Sequence, residues 1–154
     1  AGGSAVVNLG HRVSEIIEDM QKQAQKVSYV HRGHFTSDAA IDLAEKIPEF
    51  VPTEMLKVFF IGSGSEATET ALKMARQYHL ERGNESKYKV IARWQSYHGN
   101  TIGALSITGR PQQRRKWSPY LLDFPHIPPP CCYRCPYNLS YPECGIRCAH
   151  ELEK

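Results

Sequence analysis

A short apolar segment that breaks into a Gly/Ser turn and continues directly into a helix constrains this chain more than any other feature. Val58–Ile61 is rich in β-branched and aromatic side chains, which is typical of a buried strand. The turn Gly62-Ser63-Gly64-Ser65 follows, and a helical pattern begins at Glu66. The first N–H groups of a helix have no intrahelical partners, and the helix dipole favours negative charge there. The segment therefore predicts an anion site, which we interpret as a phosphate-binding turn.

The size and composition of the chain indicate a globular domain. A chain of 154 residues with 41% hydrophobic and 23% charged residues can bury a core, and a net charge of +3 is too small to indicate a nucleic-acid partner. It has no run of about 18 apolar residues and no signal peptide, so we expect a cytoplasmic location without a membrane partner. Because the chain lacks an initiating Met and its last residues resemble the start of a helix, we also expect it to be a piece of a longer protein.

Two helices are predicted before the phosphate-binding turn. Apolar residues recur at helical spacing over roughly residues 12–27. Ser37 can cap a second helix, and the prolines from Pro48 onward end it. We therefore divide the chain into an N-terminal helical segment, residues 1–52, and a second part, residues 53–154.

The helix after the turn has recognisable ends. Glu66 and Glu69 are predicted to lie in its first turn, where the dipole favours acidic side chains, and are interpreted as helix N-terminal acids rather than catalysts. Gly83 is typical of a left-handed residue that ends a helix. The helix also carries one apolar stripe, which consists of Ala67, Ala71, Met74, Ala75 and Tyr78.

A second strand is predicted over residues 88–92, so the chain contains a strand–helix–strand unit. Strands joined by a helix run parallel, and the sequence therefore predicts an α/β fold with a parallel sheet flanked by helices. The loop at residues 93–101 follows the second strand, at the edge where ligands bind to open α/β sheets. A short helix over residues 101–107 and an irregular, proline-rich segment over residues 110–130 complete this part.

More than one phosphate ligand fits the turn. Gly62, Gly64 and Ala67 match the loose dinucleotide fingerprint, which also needs an acidic residue after the next strand. Arg93 stands there instead and suits a 2′-phosphate, so an NADP-binding oxidoreductase domain stays open. A nucleotide-binding P-loop is excluded, because no Gly-Lys-Ser or Gly-Lys-Thr follows the turn.

Two blocks of the sequence resemble the class III aminotransferases, which are pyridoxal-phosphate enzymes. The first block, Phe59–Arg76, contains the motif G-S-G-S-E-A-x-E, and the second, Tyr97–Gly109, contains Y-H-G-x-T-x-G-A-L-S-x-T-G. The resemblance is dense from about Asn8 to Gly109 and continues into the cysteine segment. It implies the large domain of a fold-type-I enzyme, with a parallel-rich sheet flanked by helices, of which residues 53–154 would form the first half.

The resemblance also implies where the cofactor binds. Glycine lets the backbone approach the phosphate, serine adds a donor, and a flat aromatic side chain fixes the plane of the cofactor ring. By position in the two blocks, Ser63, Gly64 and Ser65 form the cup for the phosphate, Tyr97 stacks on the pyridine ring, and His98 and Gly99 complete that loop.

The catalytic lysine of the family has no counterpart in the sequence. The resemblance implies a Schiff-base lysine and an acidic partner for the pyridine nitrogen, both well downstream of the Tyr-His-Gly loop. Lys73, Lys116 and Lys154 fit neither the position nor the surroundings of that lysine. We therefore expect an N-terminal fragment that holds no catalytic residue and does not transaminate by itself.

The implied activity of the whole enzyme is the transfer of an amino group between an amino acid or ω-amine and a 2-oxo acid, in a homodimer. An amino-acid racemase or mutase of the same family stays open. Tyr29, His31 and Arg32, in an aromatic and basic loop, are candidates for the choice of substrate.

A cysteine-rich excursion occupies residues 131–148. Its spacing, with pairs separated by two and three residues, suits a tetrahedral zinc ion or an iron–sulfur cluster, while reduced structural thiols and disulfides are the alternatives. A non-catalytic metal-binding module is a third functional hypothesis for the chain. The candidate ligands are Cys132, Cys135, Cys144 and Cys148.

Overall fold

The computed structural model describes residues 3, 6–52, 54 and 57–153. The chain divides into two compact units, Ala1–Phe60 and Ile61–Lys154. Within the described ranges, no helix combines the length and the hydropathy that a membrane span requires.

The first unit contains the two helices that the sequence predicts. Helix α1 (Ser14–Lys26) matches the predicted range closely, and its Lys26 forms an ion pair with Asp38 at the start of helix α2 (Asp38–Lys46). Ser37 caps α2 as predicted, because its side chain accepts a hydrogen bond from the Ala40 N–H at 3.4 Å. A 3₁₀ turn that contains Pro48 follows α2 directly, over Ile47–Phe50.

The second unit begins with its longest helix, α3 (Gly64–Glu81), which starts immediately after Ser63. The helix ends in the left-handed conformation that the sequence predicts, since Gly83 has a φ of 72°. The Asn84 N–H then donates to the carbonyl of His79 at 2.8 Å, which satisfies an otherwise unpaired carbonyl of the last turn. Local capping signals therefore define both ends of α3.

The sheet is parallel, as predicted, but its strands are not the predicted pair. Strand β1 (Ala92–Arg93) lies beside strand β2 (His126–Ile127), whereas residues 58–61 form no ladder within the described part of the chain. Strand β2 belongs to the proline-rich segment that the sequence predicts to be irregular. Proline lacks an N–H but keeps its carbonyl, and the Pro125 carbonyl accepts a hydrogen bond from Ala92 at 3.0 Å.

The connection between β1 and β2 forms the core of the second unit. It contains helix α4 (Ile102–Ile107), helix α5 (Pro111–Arg114) and a 3₁₀ turn at Ser118–Tyr120. All residues of α4 after Ile102 are buried. A short helix α6 (Arg147–His150) and a 3₁₀ turn at Glu151–Glu153 lie near the end of the described chain. The buried apolar side chains are Ala92, Ala104, Leu105, Ile107 and Ile127.

Helix α3 turns a largely polar face inward. Met74 and Tyr78 of its apolar stripe are 59% and 55% exposed, while Thr68, Glu69 and Arg76 are partly buried. These polar side chains are held by hydrogen bonds to neighbouring loops and helices. Hydropathy alone therefore does not identify the face of α3 that contacts the rest of the second unit.

Candidate functional site

The start of α3 forms a cup of free N–H groups. The Ser63 side chain accepts a hydrogen bond from the Glu66 N–H at 3.2 Å, and the Ser63 carbonyl accepts one from Ala67 at 2.9 Å. The N–H groups of Gly64 and Ser65 donate to no acceptor among the residues that the structure describes. A Cβ atom placed on Gly64 would meet nothing within 4 Å, so space is open in front of this turn. The cup therefore fits a phosphate group.

The predicted ring-stacking residue lies in the loop that follows β1. The Tyr97 side chain is 52% exposed, and the Arg110 guanidinium carbon lies 5.2 Å from the centre of its ring. This contact is a cation–π interaction on one face of the ring. The other face of an aromatic ring can stack on a planar group, which is the role that the sequence predicts for Tyr97.

Two threonine hydroxyls hold the backbone of His98 between α3 and α4. Thr68, on α3, donates to the His98 carbonyl at 2.8 Å. Thr108, just after α4, accepts from the His98 N–H at 3.1 Å and lies within hydrogen-bond distance of the Ala104 and Gly99 carbonyls. Thr108 is completely buried. The loop that carries Tyr97 is thus fixed relative to the phosphate cup.

Gly99 brings the loop that carries Tyr97 (residues 94–101, the ring loop) into direct contact with the cup. Its φ is 134°, a conformation that residues with a side chain rarely adopt. A Cβ atom on Gly99 would lie 2.5 Å from the Ser65 hydroxyl oxygen and 2.9 Å from the Ala104 Cβ. Glycine is therefore required here by both conformation and space. The structure brings together the two predicted parts of the site at this point.

Asn100 forms two hydrogen bonds with the cup that the sequence does not predict. Its backbone N–H donates to the Ser65 hydroxyl at 3.1 Å, and the same hydroxyl lies 3.2 Å from the Asn100 Oδ1. The two residues are 35 positions apart. A polar residue directly after the Tyr-His-Gly motif is the only sequence signal for this contact.

Glu69 caps α4 rather than the helix to which it belongs. Glu66 lies in the first turn of α3 as predicted, but the Glu69 carboxylate accepts hydrogen bonds from Gly103 at 2.9 Å and Ala104 at 3.3 Å. The adjacent Thr101 side chain and the Gly103 and Ala104 N–H groups lower the pKa of Glu69, although burial opposes the shift. The prediction for Glu69 is therefore corrected: its charge complements the N-terminus of α4.

Arg114 caps the C-terminal end of α4. Its Nη1 donates to the carbonyls of Leu105 at 2.9 Å, Ser106 at 2.5 Å and Thr108 at 2.9 Å. Burial lowers the pKa of Arg114. A carboxylate at the N-terminus and a guanidinium at the C-terminus both match the dipole of α4, so this helix is a fixed support for the ring loop.

The candidates for substrate choice lie in the first unit. Arg32 donates from Nη1 to the Phe60 carbonyl, and its guanidinium carbon lies 4.9 Å from the centre of the Phe59 ring. The rings of His31 and His34 stack with centres 5.3 Å apart. These contacts assign local packing to Arg32 and His31, and no role in substrate binding follows from them.

The lysines of the second unit do not match the Schiff-base lysine that the resemblance implies. Lys73 and Lys116 both have exposed side chains, Lys73 on α3 and Lys116 after α5. Lys154 lies outside the described residues.

The structure gives no support for the metal site that the cysteine spacing predicts. Cys132, Cys135, Cys144 and Cys148 line one small cavity and carry free thiols, but the described residues contain no His, Cys, Asp or Glu group arranged to hold a metal ion. Backbone N–H groups of the turn that follows Cys135, chiefly that of Leu139, lower the pKa of its thiol. Spacing along the chain does not ensure that thiols converge on one point.

Comparison with protein families supports the resemblance noted from the two sequence blocks. The model of the family described as aminotransferase class III matches residues 1–154. YhxA of Bacillus subtilis, described as an uncharacterised aminotransferase, is 45% identical over 150 residues, which are 96% of this chain and 32% of the relative. The adenosylmethionine-8-amino-7-oxononanoate aminotransferase of Methanocaldococcus jannaschii is 38% identical over 93% of this chain and 32% of its own length.

Solved structures agree with the sequence comparison. The omega transaminase of Pseudomonas jessenii in complex with PMP superimposes with a TM-score of 0.87 at 35% identity, covering 94% of this chain and 32% of the transaminase. This likeness confirms the predicted α/β fold class. The chain spans about a third of the length of the relatives described above.

Proposed function

The chain belongs to the class III aminotransferase family, and we propose that it is the N-terminal portion of a pyridoxal-phosphate-dependent aminotransferase. In this proposal residues 53–154 form the first half of a fold-type-I cofactor domain. The observation that carries the proposal is the contact between Gly99 and Ser65, because it joins the first turn of α3 to the loop of an exposed aromatic ring.

The residues of this chain would bind and orient the cofactor. The N–H groups of Gly64 and Ser65, with the Ser65 hydroxyl, would donate to the phosphate, and the Ser63 side chain holds the first turn of α3 in shape. The Tyr97 ring would lie against the pyridine ring. When bound, pyridoxal phosphate supplies a carbonyl group that accepts the amino group and a conjugated ring that accepts electrons.

We propose that the reaction belongs to the longer protein. Lys73 has an exposed side chain on α3, and Lys116 lines a cavity with Tyr97 and Asn100. Neither matches the position of the Schiff-base lysine that the resemblance implies, so we assign the reactive lysine to the rest of the longer protein. The substrates would be an amino acid or ω-amine and a 2-oxo acid, and the intact enzyme would be a cytoplasmic homodimer. The names of the relatives favour an aminotransferase over a racemase or mutase.

The alternative of an NADP-binding oxidoreductase domain has little support. The alternative relies on Arg93 to bind a 2′-phosphate. The Arg93 guanidinium instead donates to the Pro128 carbonyl at 3.2 Å. The ring loop that follows β1 has no role in that alternative. The metal-binding module loses its basis with the absence of a metal-holding group among the described residues.

Two variants of Gly64 test the proposal in the full-length enzyme. Gly64→Asp puts a carboxylate at the first position of α3, where the dipole favours acid, so the fold should tolerate it. The same carboxylate would repel the phosphate and should raise the dissociation constant of pyridoxal phosphate at least about tenfold. Gly64→Asn, which has nearly the same size and shape as Gly64→Asp but no charge, is the matched control and should bind pyridoxal phosphate more tightly than Gly64→Asp.

Binding is measured by titration of the apoenzyme with pyridoxal phosphate and, separately, with NADPH, followed by the fluorescence of Trp94 and Trp117. We expect saturable binding of pyridoxal phosphate only, together with amino transfer from an amine donor to a 2-oxo acid. Binding of NADPH alone, or equal affinity in wild type and Gly64→Asp, would contradict the proposal.

A further inference from the structure

We propose that the carboxamide of Asn100 is a further residue of the phosphate site and that it changes its hydrogen-bonding role when phosphate binds. Without phosphate it accepts the hydrogen of the Ser65 hydroxyl through Oδ1; with phosphate it turns and donates to the ligand through Nδ2. This inference rests on the proposed function, because it assumes that the cup holds the phosphate of the cofactor.

The hydrogen bonds of Ser65 limit what its hydroxyl can do. The oxygen accepts from the Asn100 backbone N–H at 3.1 Å, so one lone pair is already used. A hydroxyl has a single hydrogen. That hydrogen faces the Asn100 Oδ1 at 3.2 Å and must leave this acceptor before it can serve a phosphate oxygen.

Because phosphate oxygens are hydrogen-bond acceptors, the Asn100 carboxamide must present its donor Nδ2 to them and not its acceptor Oδ1. A phosphate oxygen that takes the Ser65 hydrogen would leave the Asn100 Oδ1 close to a second acceptor without a hydrogen between them. Rotation of the carboxamide by half a turn exchanges Oδ1 for Nδ2 in nearly the same volume. The rotated group offers a donor where the unrotated group offers an acceptor.

The surroundings allow this rotation while they hold the backbone. Gly99 is buried, and a Cβ atom placed on it would lie 3.0 Å from the Ser65 Cα. The backbone segments that contain Gly99 and Ser65 are therefore already in contact. Asn100 itself is exposed. Only the side-chain torsions of Asn100 and the hydroxyl of Ser65 need to change, and the cup remains as built.

Two substitutions in the full-length enzyme separate this role from its alternatives. Asn100→Ala removes both the acceptor and the donor without adding charge. If Asn100 donates to the phosphate, this variant should bind pyridoxal phosphate about fivefold more weakly or worse, because hydrogen bonds to charged groups are among the stronger ones. If Asn100 only competes for the Ser65 hydrogen, the same variant should bind more tightly.

Asn100→Asp keeps the shape and the acceptor but removes the donor. Its affinity for pyridoxal phosphate should fall more than tenfold at pH 8, and the ratio to wild type should recover only as the pH falls towards about 4, where the carboxyl gains a proton and becomes a donor. A purely structural role for Asn100 would not produce this pH profile. Asn8→Asp, an exposed residue of the first unit, is the matched control.

Titrations with pyridoxal phosphate and with pyridoxal, which lacks the phosphate, provide the readout. We expect both Asn100 variants to weaken pyridoxal phosphate and to leave pyridoxal unchanged. Unchanged or tighter binding of pyridoxal phosphate by Asn100→Ala, or equal weakening of both ligands, would overturn the inference. Failure of the wild type to bind pyridoxal phosphate would instead refute the proposed function.

Discussion

The Thr68 hydroxyl donates a hydrogen bond of 2.8 Å to the carbonyl of His98, which lies 30 positions further along the chain. Thr68 belongs to α3, whose first turn forms the phosphate cup, and His98 belongs to the loop that carries Tyr97. One side-chain hydrogen bond thus connects the parts of the site that would hold the two ends of the cofactor. Because both residues are partly buried, the bond is shielded from competition by water.

Thr68→Val removes this hydrogen bond and preserves the shape of the side chain. The His98 carbonyl then loses a buried partner, so we expect the free energy of unfolding to fall by about 1–2 kcal/mol and cofactor affinity to fall several-fold. Thr68→Ser restores the hydroxyl and should recover most of both quantities. Denaturant unfolding and cofactor titration check this; a Val variant that binds like wild type would show that the bond does not position the ring loop.

Gly99→Ala should damage the site more severely. The new Cβ would lie 2.5 Å from the Ser65 hydroxyl oxygen in a backbone conformation with a φ of 134°. We expect a loss of about 2–4 kcal/mol of stability and no measurable binding of pyridoxal phosphate. Gly145→Ala is the matched control, because Gly145 also has a positive φ (54°) but its Cβ would meet nothing within 4 Å. Similar losses in both variants would mean that strain, and not the contact with Ser65, accounts for the effect.

The parts of the fold that sequence predicts well are those with local causes. Ser37 caps α2 and Gly83 ends α3 because capping depends on residues within one turn of the helix. The Gly/Ser turn is likewise local. The sequence does not predict strand β2, because a strand is defined by its neighbour, and its neighbour β1 lies more than 30 residues away.

The same distinction applies to the candidate site. The two motifs place Ser65 and Gly99, and the structure brings them into contact. Thr68 and Asn100 contact residues that lie 30 and 35 positions away, so no local pattern marks those contacts, whereas Thr108 belongs to the second motif. The metal site suggested by the cysteine spacing has no support, since the described residues contain no group arranged to hold a metal ion.

The Cys135 thiol should ionise more readily than an ordinary cysteine. Backbone N–H groups, chiefly that of Leu139 and then that of Tyr137, stabilise the thiolate and lower the pKa of Cys135 below its usual 9.0, although burial opposes the shift. We expect the rate of alkylation of Cys135 by iodoacetamide, followed by peptide mass spectrometry, to rise with pH around a midpoint below 9.0. The same measurement in denaturant, where these donors are lost, should shift the midpoint upward; identical midpoints in both states would contradict the prediction.

Glu69→Gln should destabilise the protein at neutral pH and have little effect in acid. The glutamine still accepts from Gly103 and Ala104, but it lacks the charge that complements the N-terminus of α4, so we expect a loss of about 0.5–1 kcal/mol at pH 7.

The direction of the pH dependence follows from the lowered pKa of Glu69. Its folded-state pKa lies below the ordinary 4.5, so the stabilisation is fully present above that value and is lost as the pH falls through the folded-state pKa. Unfolding curves for wild type and Glu69→Gln from pH 7 downward should therefore converge below pH 4.5. Glu15→Gln, in the exposed first turn of α1, is the matched control and should show a smaller difference at pH 7. A deficit in Glu69→Gln that stays constant down to the lowest pH at which wild type is folded would show that the contribution of Glu69 is not its charge.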